Sequence, residues 1–328
     1  MIDFWTGALA LTIFLYVTLD GFDLGVGLLM PFAGDEHRRS LMRASIAPVW
    51  DGNETWLVLN GTILFGMFPL AYATLLSAFY LPLIVMLVAL IFRGVSFEYR
   101  ERATWSRRFW DYGFVGGSFI ATFIQGVAVG ALVHGLPMQG EQYTGGTFGW
   151  LSPFALACGV GLCVGYALMG AGWLAYKSDG ELREFAFCKI PGLLLALALF
   201  LAVVFGLALV ENLSLMRRWL DTPALFAFPL IGAIACATML WAVRRRREFI
   251  PFLCAVVLFA AAMGTLGVSF YPYIIPFAIT IEQAAAPSSS MSFLFWGAGL
   301  FVLPLTLVYT SAIYFFFKGK VVLDDSQY

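Results

Sequence analysis

The stretch Phe4–Met30, FWTGALALTIFLYVTLDGFDLGVGLLM, decides the fold, because it is an otherwise unbroken apolar run that contains two aspartates, Asp20 and Asp23. A helix of about 20 apolar residues is long enough to cross ~30 Å of hydrocarbon. An ionised carboxylate at that depth costs about 2.5–3.5 kcal/mol on insertion scales, so such residues persist mainly where they face a protein interior or a wet cavity. The run therefore predicts a membrane-spanning helix whose two carboxyl groups carry function.

The composition of the whole chain is also typical of a membrane protein. Of the 328 residues, 61% are hydrophobic and 12% are charged, and the mean hydropathy is +0.86. These values exclude a water-soluble domain and predict an all-α polytopic membrane protein whose residues 1–328 form a single integral membrane domain. We expect the lipid bilayer to be its main solvent and expect no nucleic-acid partner.

The apolar runs predict about nine spans, near 4–31, 46–71, 72–98, 110–135, 149–176, 186–210, 222–243, 249–271 and 292–317. A tight turn is expected around Pro69–Tyr72, between the second and third spans. The first span is expected to stay in the protein, since Met1–Trp5 lacks the positive charge of a signal peptide.

Lysine and arginine residues between the spans predict the orientation, since short cytoplasmic loops retain positive charge. Alternate loops and the tail contain the cations Arg38, Arg39, Arg43, Arg100, Arg102, Arg107, Arg108, Lys177, Arg183, Lys189, Arg244–Arg247, Lys318 and Lys320. The opposite side has only Arg217 and Arg218. This asymmetry predicts an N-terminus outside and a C-terminus in the cytoplasm, and the Arg244–Arg247 cluster is expected to contact anionic lipid headgroups.

Four acidic residues fall in the cytoplasmic half of the first two predicted spans. Asp20 and Asp23 share one helix face, and two like charges at that range disfavour simultaneous ionisation. Asp51 opens the second span, and Glu54 follows one turn later on the same face. Because a carboxyl group that can be neutral or charged can relay a proton, we predict a proton path that runs inward from the cytoplasm.

A structural role is the alternative for these acids. Asp20 and Asp23 would then hold Arg93, which lies near the cytoplasmic end of the third span. Asp51 would be a helix N-terminal charge that the macrodipole favours, and for this residue the two interpretations are balanced. For the mid-span pair the functional interpretation is favoured, because two acids exceed what one arginine neutralises cheaply.

The sequence gives little support for metal or nucleotide chemistry in this chain. His37 and His134 fall on opposite sides of the membrane in the predicted topology, so they cannot share one haem or metal. The five cysteines have no C-x-x-C spacing, and no Walker A or G-x-G-x-x-G signature follows a strand. We therefore expect no metal and no cofactor bound by this chain, with a single axial ligand such as His134 as the alternative.

Glycine spacing indicates close helix packing. Gly126 and Gly130 are four residues apart in one predicted span, a spacing that lets helix backbones approach. A weak internal repeat relates the two halves of the chain, and it matches Gly25, Gly27 and Pro48 to Gly170, Gly172 and Pro191. The repeat suggests two related four-helix bundles and a ninth helix. The acids occur in the first half only.

Several blocks of the sequence stand in a distinctive order. They are DGFDLGVG at Asp20–Gly27, SIAPVWDGNETW at Ser45–Trp56, FRGVSFEYR at Phe92–Arg100, PYIIP at Pro272–Pro276, AAAPSS at Ala284–Ser289, and the closing Tyr309 with KGK at Lys318–Lys320. Together they resemble subunit II of the cytochrome bd-type quinol oxidases. The resemblance runs from about residue 15 to 321.

The resemblance implies a nine-helix subunit of two four-helix bundles, about 4–135 and 149–271, with one peripheral helix at about 292–317. It also implies a partner in the bacterial cytoplasmic membrane, subunit I, which carries two b-type haems, a third haem of d or b type, and the quinol-oxidising loop. The complex would oxidise quinol and reduce dioxygen to water with protons from the cytoplasm. Some relatives hold a structural quinone in this subunit, and a small single-helix subunit is a further partner that the sequence leaves open.

The resemblance also implies roles for individual residues. The acid of the W-D-G-N block maps onto Asp51, which is expected at the cytoplasmic mouth of the proton path, with Glu54 further in. For Asp20 and Asp23 the resemblance leaves open a role as proton relay, as ion-pair partners of Arg93 or as support for the subunit interface. Trp50, Gly52, Asn53 and Trp56 complete this block, and the two tryptophans are expected at the level of the membrane interface. Arg93 and Arg100 are expected to have a structural role, pairing with Asp23 or Glu98.

Two other functions compete with this interpretation. A proton-coupled secondary transporter would also use intramembrane carboxyl groups, but it should place polar groups around a site shared by both halves. The second half has almost no ionisable residue at depth. The other alternative is a purely structural subunit whose acids only hold helices together.

Overall fold

The computed structural model describes residues 1–210, 219 and 223–322, and its helices follow the apolar runs of the sequence. The helices are α1 (Ile2–Leu29), α2 (Glu36–Ile46), α3 (Trp50–Met67), α4 (Pro69–Arg102), α5 (Arg107–His134), α6 (Pro153–Lys177), α7 (Gly180–Val210), α8 (Ala227–Arg244), α9 (Ile250–Phe270), α10 (Ile281–Ala284), α11 (Ser288–Leu294) and α12 (Leu300–Phe316). A π-helical turn, Phe295–Gly299, joins α11 to α12. Arg217 and Arg218, which the charge pattern places on the outer side, lie outside the described residues.

Two antiparallel hairpins interrupt this helical architecture. Strand β1 (Met138–Gln139) pairs with β2 (Gln142–Tyr143), and β3 (Tyr273–Ile275) pairs with β4 (Ile279–Thr280). The two hairpins lie in segments 136–148 and 272–291, which contain no lysine or arginine.

Within the described part of the chain, eight helical segments are long and apolar enough to cross a membrane, as expected for a multi-pass membrane protein. They are α1, α4, α5, α6, α7, α8, α9 and the α11–α12 unit. The remaining predicted span, 46–71, corresponds to α3, whose first half contains Asp51, Asn53 and Glu54.

Helix α3 extends along the whole of α1. Near the start of α3, Asn53 donates a hydrogen bond of 2.6 Å to Asp23, near the end of α1. At the end of α3, Met67 belongs to the apolar cluster that contains Trp5, near the start of α1. The two helices are therefore antiparallel and cover the same depth. The nine-span topology, the two bundles and the orientation of the termini stay predictions.

Several helices finish at one end of the molecule, referred to below as the α2 end. Arg100, in the last turn of α4, forms an ion pair with Glu36 of α2. Trp173, in the last turns of α6, donates to the backbone oxygen of Ser45 at 3.3 Å, again in α2. Lys177 at the end of α6 contacts the residues that follow α12. The α2 end thus collects the segments rich in arginine and lysine.

Helices α1 and α6 cross where neither has a side chain. A Cβ atom on Gly25 would overlap the backbone oxygen of Tyr166, and one on Gly170 would lie 2.5 Å from the carbonyl carbon of Gly25. Real Cβ atoms do not approach backbone this closely, so both positions require glycine. The crossing brings the first and second halves of the chain into direct backbone contact.

The other two glycines of the internal repeat, Gly27 and Gly172, also lie close to neighbouring helices. A Cβ on Gly27 would overlap Ser118 of α5, the last long helix of the first half, and one on Gly172 would lie 2.9 Å from Phe252 of α9, the last long helix of the second half. Each of these two glycines therefore allows close packing against another helix, and the relationship between the two halves stays a prediction.

Gly126 and Gly130 face α6. A Cβ on Gly126 would lie 2.6 Å from the backbone oxygen of Cys158, and one on Gly130 would lie 2.7 Å from Cα of Ala155. Close packing of α5 against α6 depends on the absence of side chains at these two positions.

Two local features differ from the sequence prediction. The first loop contains α2, which begins where the carboxylate of Asp35 accepts a hydrogen bond of 2.8 Å from the backbone N–H of Arg38. The turn between α3 and α4 lies at Phe68 rather than around Pro69–Tyr72. Proline suits the first turn of a helix, where its missing N–H is not needed, so Pro69 begins α4.

After α12 the chain folds across the α2 end. This segment, residues 317–321, is referred to as the C-terminal clasp. The Lys320 ammonium group donates to the Glu248 carboxylate and to the backbone oxygen of Tyr176, each at 2.6 Å. The backbone N–H of Val321 donates to the backbone oxygen of Lys177 at 2.8 Å. The clasp therefore joins α12 to the ends of α6 and α9.

Replacing Gly25 by alanine should destabilise the protein, because the added methyl group cannot fit at the α1–α6 crossing. Overpacking of this kind costs about 1–3 kcal/mol. The midpoint of thermal unfolding of the purified membrane complex would measure the effect. Gly7→Ala is the matched control on the same helix, since a Cβ there meets nothing within 4 Å. Equal stability of the two variants would contradict the packing argument.

The clasp should open in acid. The hydrogen bond from Lys320 lowers the pKa of the Glu248 carboxyl below its ordinary value, despite opposition from burial. A carboxylate whose pKa is lowered by folding stabilises the folded state above its ordinary pKa, and this stabilisation is lost as the pH falls through the lowered value.

Hydrogen exchange of residues 317–321, corrected for the intrinsic rate, should show less protection below about pH 4 than at pH 7. Glu248→Gln should remove this pH dependence. Protection that is the same at both pH values in the unmodified protein would be evidence against the ion pair.

Candidate functional site

Helices α1, α3 and α4 enclose a cluster of ionisable side chains near the α2 end. Asp20 and Asp23 from α1 and Arg93 from α4 are each 0% exposed. Glu54 from α3 joins them with 26% of its side chain exposed. The cluster therefore contains three carboxyl groups and one guanidinium group in a protein interior.

Arg93 links the three helices. Its Nη1 atom lies 3.0 Å from Oδ1 of Asp20 and 2.5 Å from Oε1 of Glu54. Charge-assisted hydrogen bonds of this length are stronger than neutral ones, and they are less screened when water is excluded. The guanidinium group also lies over the ring of Phe114 of α5, with Cζ 5.8 Å from the ring centroid.

Asp23 is held by a different set of contacts. The Asn53 side-chain amide donates to Oδ2 of Asp23 at 2.6 Å and to the backbone oxygen of Leu19 at 3.2 Å. The amide oxygen of Asn53 accepts a hydrogen bond of 3.0 Å from the hydroxyl of Tyr314 in α12. These three bonds fix which way the Asn53 amide points.

Several polar atoms of the cluster have no hydrogen-bond partner among the described residues. They are Oδ2 of Asp20, Oδ1 of Asp23, and Nε and Nη2 of Arg93. Buried polar groups are normally paired, so the two carboxyl oxygens mark places where a proton or water can bind, and the guanidinium N–H groups can donate to water. One guanidinium balances one carboxylate, which leaves the cluster able to hold up to two further positive charges.

A chain of neutral polar groups leads from the cluster toward α5 and α6. The hydroxyl of Tyr166 donates to Oε1 of Gln125 at 3.1 Å, and Nε2 of Gln125 donates to the hydroxyl of Tyr16 at 2.7 Å. Tyr16 lies beside Asp20, one helical turn away. Sequence reasoning missed these residues and Tyr314, although an uncharged Gln125 inside an apolar span is a signal for such a network.

The W-D-G-N block lies at the start of α3. Asp51 is exposed in the first turn, and Glu54 follows one turn further in. The ring of Trp50 packs against Phe97 of α4 with 5.2 Å between centroids. Gly52 faces α12, where a Cβ on it would lie 3.8 Å from Ile313. The block therefore connects α3 to the helices on either side of it.

The side chain of Trp56 is fully enclosed by protein, and its level relative to the membrane interface stays a prediction. The partners of the two arginines differ in detail from the expected pairing with Asp23 or Glu98. Arg93 pairs with Asp20, as the structural alternative expected, and also with Glu54, whereas Asp23 is bound by Asn53.

Arg100 does not pair with Glu98, which is exposed on another face of α4. It forms ion pairs with Asp111 of α5, at 3.1 Å, and with Glu36 of α2. Helix rotation explains the difference, since residues two apart on a helix point in different directions.

The two histidines lie far apart. His37 is exposed on α2, and His134 is the last residue of α5, at the end away from the α2 end. This pair does not fit the axial ligation of one haem. In the described part of the chain, no group of three histidine, cysteine or acidic residues is placed to hold a metal ion.

The fold and the site define a polytopic helical membrane protein with an ionisable cluster enclosed between its spans. The chain belongs to the family of cytochrome bd terminal oxidase subunit II, whose family model matches residues 1–317. The resemblance inferred from the sequence motifs is thereby confirmed. The protein is a subunit of a bd-type oxidase, an oxidoreductase complex of respiratory electron transport.

Curated relatives and a solved structure agree with this assignment. The chain is 31% identical to cytochrome bd-I ubiquinol oxidase subunit 2 of Escherichia coli strain K12, over 95% of this chain and 93% of the relative. It is 32% identical to the probable cytochrome oxidase subunit 2 of Haemophilus influenzae, over 95% and 89%. A chain of the bd oxidase from Geobacillus thermodenitrificans has the same fold, with a TM-score of 0.77 at 17% identity over 96% of this chain and 98% of that chain.

Replacing Arg93 by methionine should destabilise the protein strongly, because it leaves buried carboxylates without their cation. Breaking one side of a buried ion pair costs about 3–5 kcal/mol. Adding Asp20→Asn to the same chain should recover part of the loss. The thermal midpoint of the purified complex is the measurement, with Arg102→Met, at an exposed position of the same helix, as the control. If Arg93→Met and Arg102→Met were equally stable, the cluster would not depend on the guanidinium group.

Proposed function

We propose that this chain is the non-haem subunit of a bd-type quinol oxidase in the bacterial inner membrane. In this role it supports subunit I and conducts protons from the cytoplasm toward the haem-containing partner. The relatives named as ubiquinol oxidase subunits support quinol and dioxygen as the substrates of the complex. The haems of subunit I would supply the electron transfer, and this chain would supply ionisable side chains.

The observation that carries the proposal is a gradient of exposure along three acidic residues, Asp51, Glu54 and Asp20. Asp51 is exposed at the start of α3, Glu54 has a side chain 26% exposed, and Asp20 is fully buried. Glu54 and Asp20 are joined through a single atom, Nη1 of Arg93. A proton taken up at Asp51 can therefore reach Glu54 one helical turn away and then a buried carboxyl group.

The guanidinium group of Arg93 keeps this arrangement in place. A buried carboxylate needs a partner, and a permanently charged arginine can balance whichever of its two neighbours is ionised. The proton can then move between Glu54 and Asp20 while the net charge of the cluster stays constant. Oδ2 of Asp20, which has no partner among the described residues, is an open position for the proton.

The packing of α3 supports the proposed topology. Since α3 covers the same depth as α1, it is the second of nine spans, and α12 with α11 is the ninth. The positive residues collected at the α2 end support a cytoplasmic position for that end. The N-terminus is then outside and the C-terminus inside. The proposal needs neither a structural quinone in this chain nor a small extra subunit.

A proton-coupled transporter is less well supported. Such a protein should have polar groups from both halves around one site. Among the described residues of the second half, the charged side chain that is buried is Lys177, which lies at the very end of α6. A purely structural subunit is the remaining alternative, and substitution of the acids distinguishes it from a proton conductor.

Asp51→Asn and Glu54→Gln should each lower the quinol oxidase turnover of the complex several-fold, because the side-chain shape is kept and the titrating group is lost. Haem content per complex should stay unchanged. Glu101→Gln, at an exposed position near the end of α4, is the control. Full turnover in both acid variants with normal haem content would refute an obligatory proton path through these residues.

A further inference from the structure

A cavity of about 330 Å³ opens at the α2 end, beside the cluster. It lies between the corner that joins α2 to α3, the end of α6, and the C-terminal clasp. Its walls include Ser45, Pro48, Trp173, Lys177, Tyr314 and Lys320. The clasp closes one side of this cavity, and the wall residue Tyr314 donates a hydrogen bond to Asn53, which in turn binds Asp23 of the cluster.

Two hydrogen bonds connect the cavity wall to Asp23. Tyr314 donates to the amide oxygen of Asn53 at 3.0 Å, and the amide nitrogen of Asn53 donates to Oδ2 of Asp23 at 2.6 Å. The other oxygen of Asp23, Oδ1, is buried and has no hydrogen-bond partner among the described residues. This oxygen can accept a proton without breaking either of the two bonds.

This set of contacts is separate from the line through Asp51. Asn53 and Glu54 are neighbours in sequence, and successive residues of a helix point about 100° apart, since one turn takes 3.6 residues. Glu54 consequently contacts Arg93 of α4, whereas Asn53 contacts Asp23 of α1 and Tyr314 of α12. Helix α3 therefore contacts the cluster through two of its own faces, one that contains Glu54 and one that contains Asn53.

The position of Tyr314 is fixed by its surroundings. Its ring packs edge-on against Phe22 and Trp173, with centroids 6.4 and 6.1 Å away. Beyond it, the Lys177 ammonium group donates to the backbone oxygens of Phe317 and Gly319 in the clasp. Packing against Phe22 and Trp173 therefore holds the hydroxyl of Tyr314 toward Asn53, and the clasp forms another part of the same cavity wall.

We infer that this cavity is a second aqueous inlet to the buried cluster, in which Tyr314 positions Asn53 and Asn53 positions Asp23. A proton carried by water in the cavity as hydronium passes to Oδ1 of Asp23, and the hydronium ion is left behind as neutral water. Asp20 lies one turn away on α1, so both inlets reach the same cluster. The inference rests on the proposed proton-conducting function, and it assigns to Tyr314 a positioning role.

The test compares Tyr314→Phe, Asp51→Asn and the double variant in the assembled oxidase. Two parallel inlets predict that each single variant keeps part of the turnover, and that the double variant falls well below the product of the two remaining fractions. The KM for quinol and the haem content should stay unchanged while kcat falls. Tyr309→Phe, at an exposed position of the same helix, is the matched control.

The outcomes separate the inference from the proposed function. If Asp51→Asn slows turnover but Tyr314→Phe does not, the second inlet is overturned and proton conduction through Asp51 stands. A double variant equal to the slower single variant would place both residues on one route and overturn a separate inlet. Loss of haem or a changed KM in Tyr314→Phe would give the residue a structural role only. If neither the single variants nor the double variant changes turnover, proton conduction by this chain fails as well.

A second variant tests the cavity without touching the hydrogen bonds. Ala44 lines the cavity, whereas Ala47, three residues along, is exposed outside it. On the Asp51→Asn background, Ala44→Phe should lower turnover several-fold by filling the cavity, and Ala47→Phe should not. Equal turnover in the two variants would show that protons do not enter through this space.

Discussion

The pairing of Arg93 with two carboxyl groups is the interaction on which the first half of the structure depends. A guanidinium group that is 0% exposed cannot be left without partners, and Asp20 and Glu54 supply them from two other helices. Because both carboxyl groups bind the same guanidinium nitrogen, at 3.0 and 2.5 Å, sliding or rotation of α1, α3 or α4 alone would break a buried ion pair. The ion pairs thereby set the depth at which Asp51 meets solvent.

The contact between the two halves rests on the opposite principle, the absence of side chains. Where Gly25 meets Gly170, helix backbones touch directly, and no charge is needed to hold them. Small residues of this kind allow close van der Waals packing in lipid, where the hydrophobic effect gives no drive for helices to associate. The chain thus uses ion pairs to fix one group of helices and glycines to join that group to the rest.

Local patterns predicted the spans well, because hydrophobic length is a property of a contiguous segment. The predicted span at 110–135, for example, is α5 at Arg107–His134. The acids of the site were also visible, since a charge inside an apolar run stands out. Pairing was harder to predict, because it depends on how each helix is rotated. Sequence spacing alone did not determine which aspartate pairs with Arg93.

Residues far apart in sequence were the hardest to predict. Tyr314 is separated from Asn53 by 261 positions, and nothing near either residue indicates the other. Trp56 shows the same limitation, since an aromatic residue near a helix start is typical of a membrane interface but is buried here by helix packing. Helix α2 was missed because its polar residues resemble a loop until Asp35 is recognised as a cap.

The asymmetry between the halves is the strongest physical argument that the buried charges serve a function. At the positions of α6 equivalent to Asp20 and Asp23, the chain has Gly165 and Leu168, and that helix packs as closely as α1 does. Replacing a buried ion pair by apolar residues is often neutral or stabilising. Helix α6 is buried without such charges, so apolar residues can serve the packing of a helix at this position. The buried acids of α1 need Arg93 to be tolerated, and their place beside the exposed carboxyl group of Asp51 supports the proposed movement of protons.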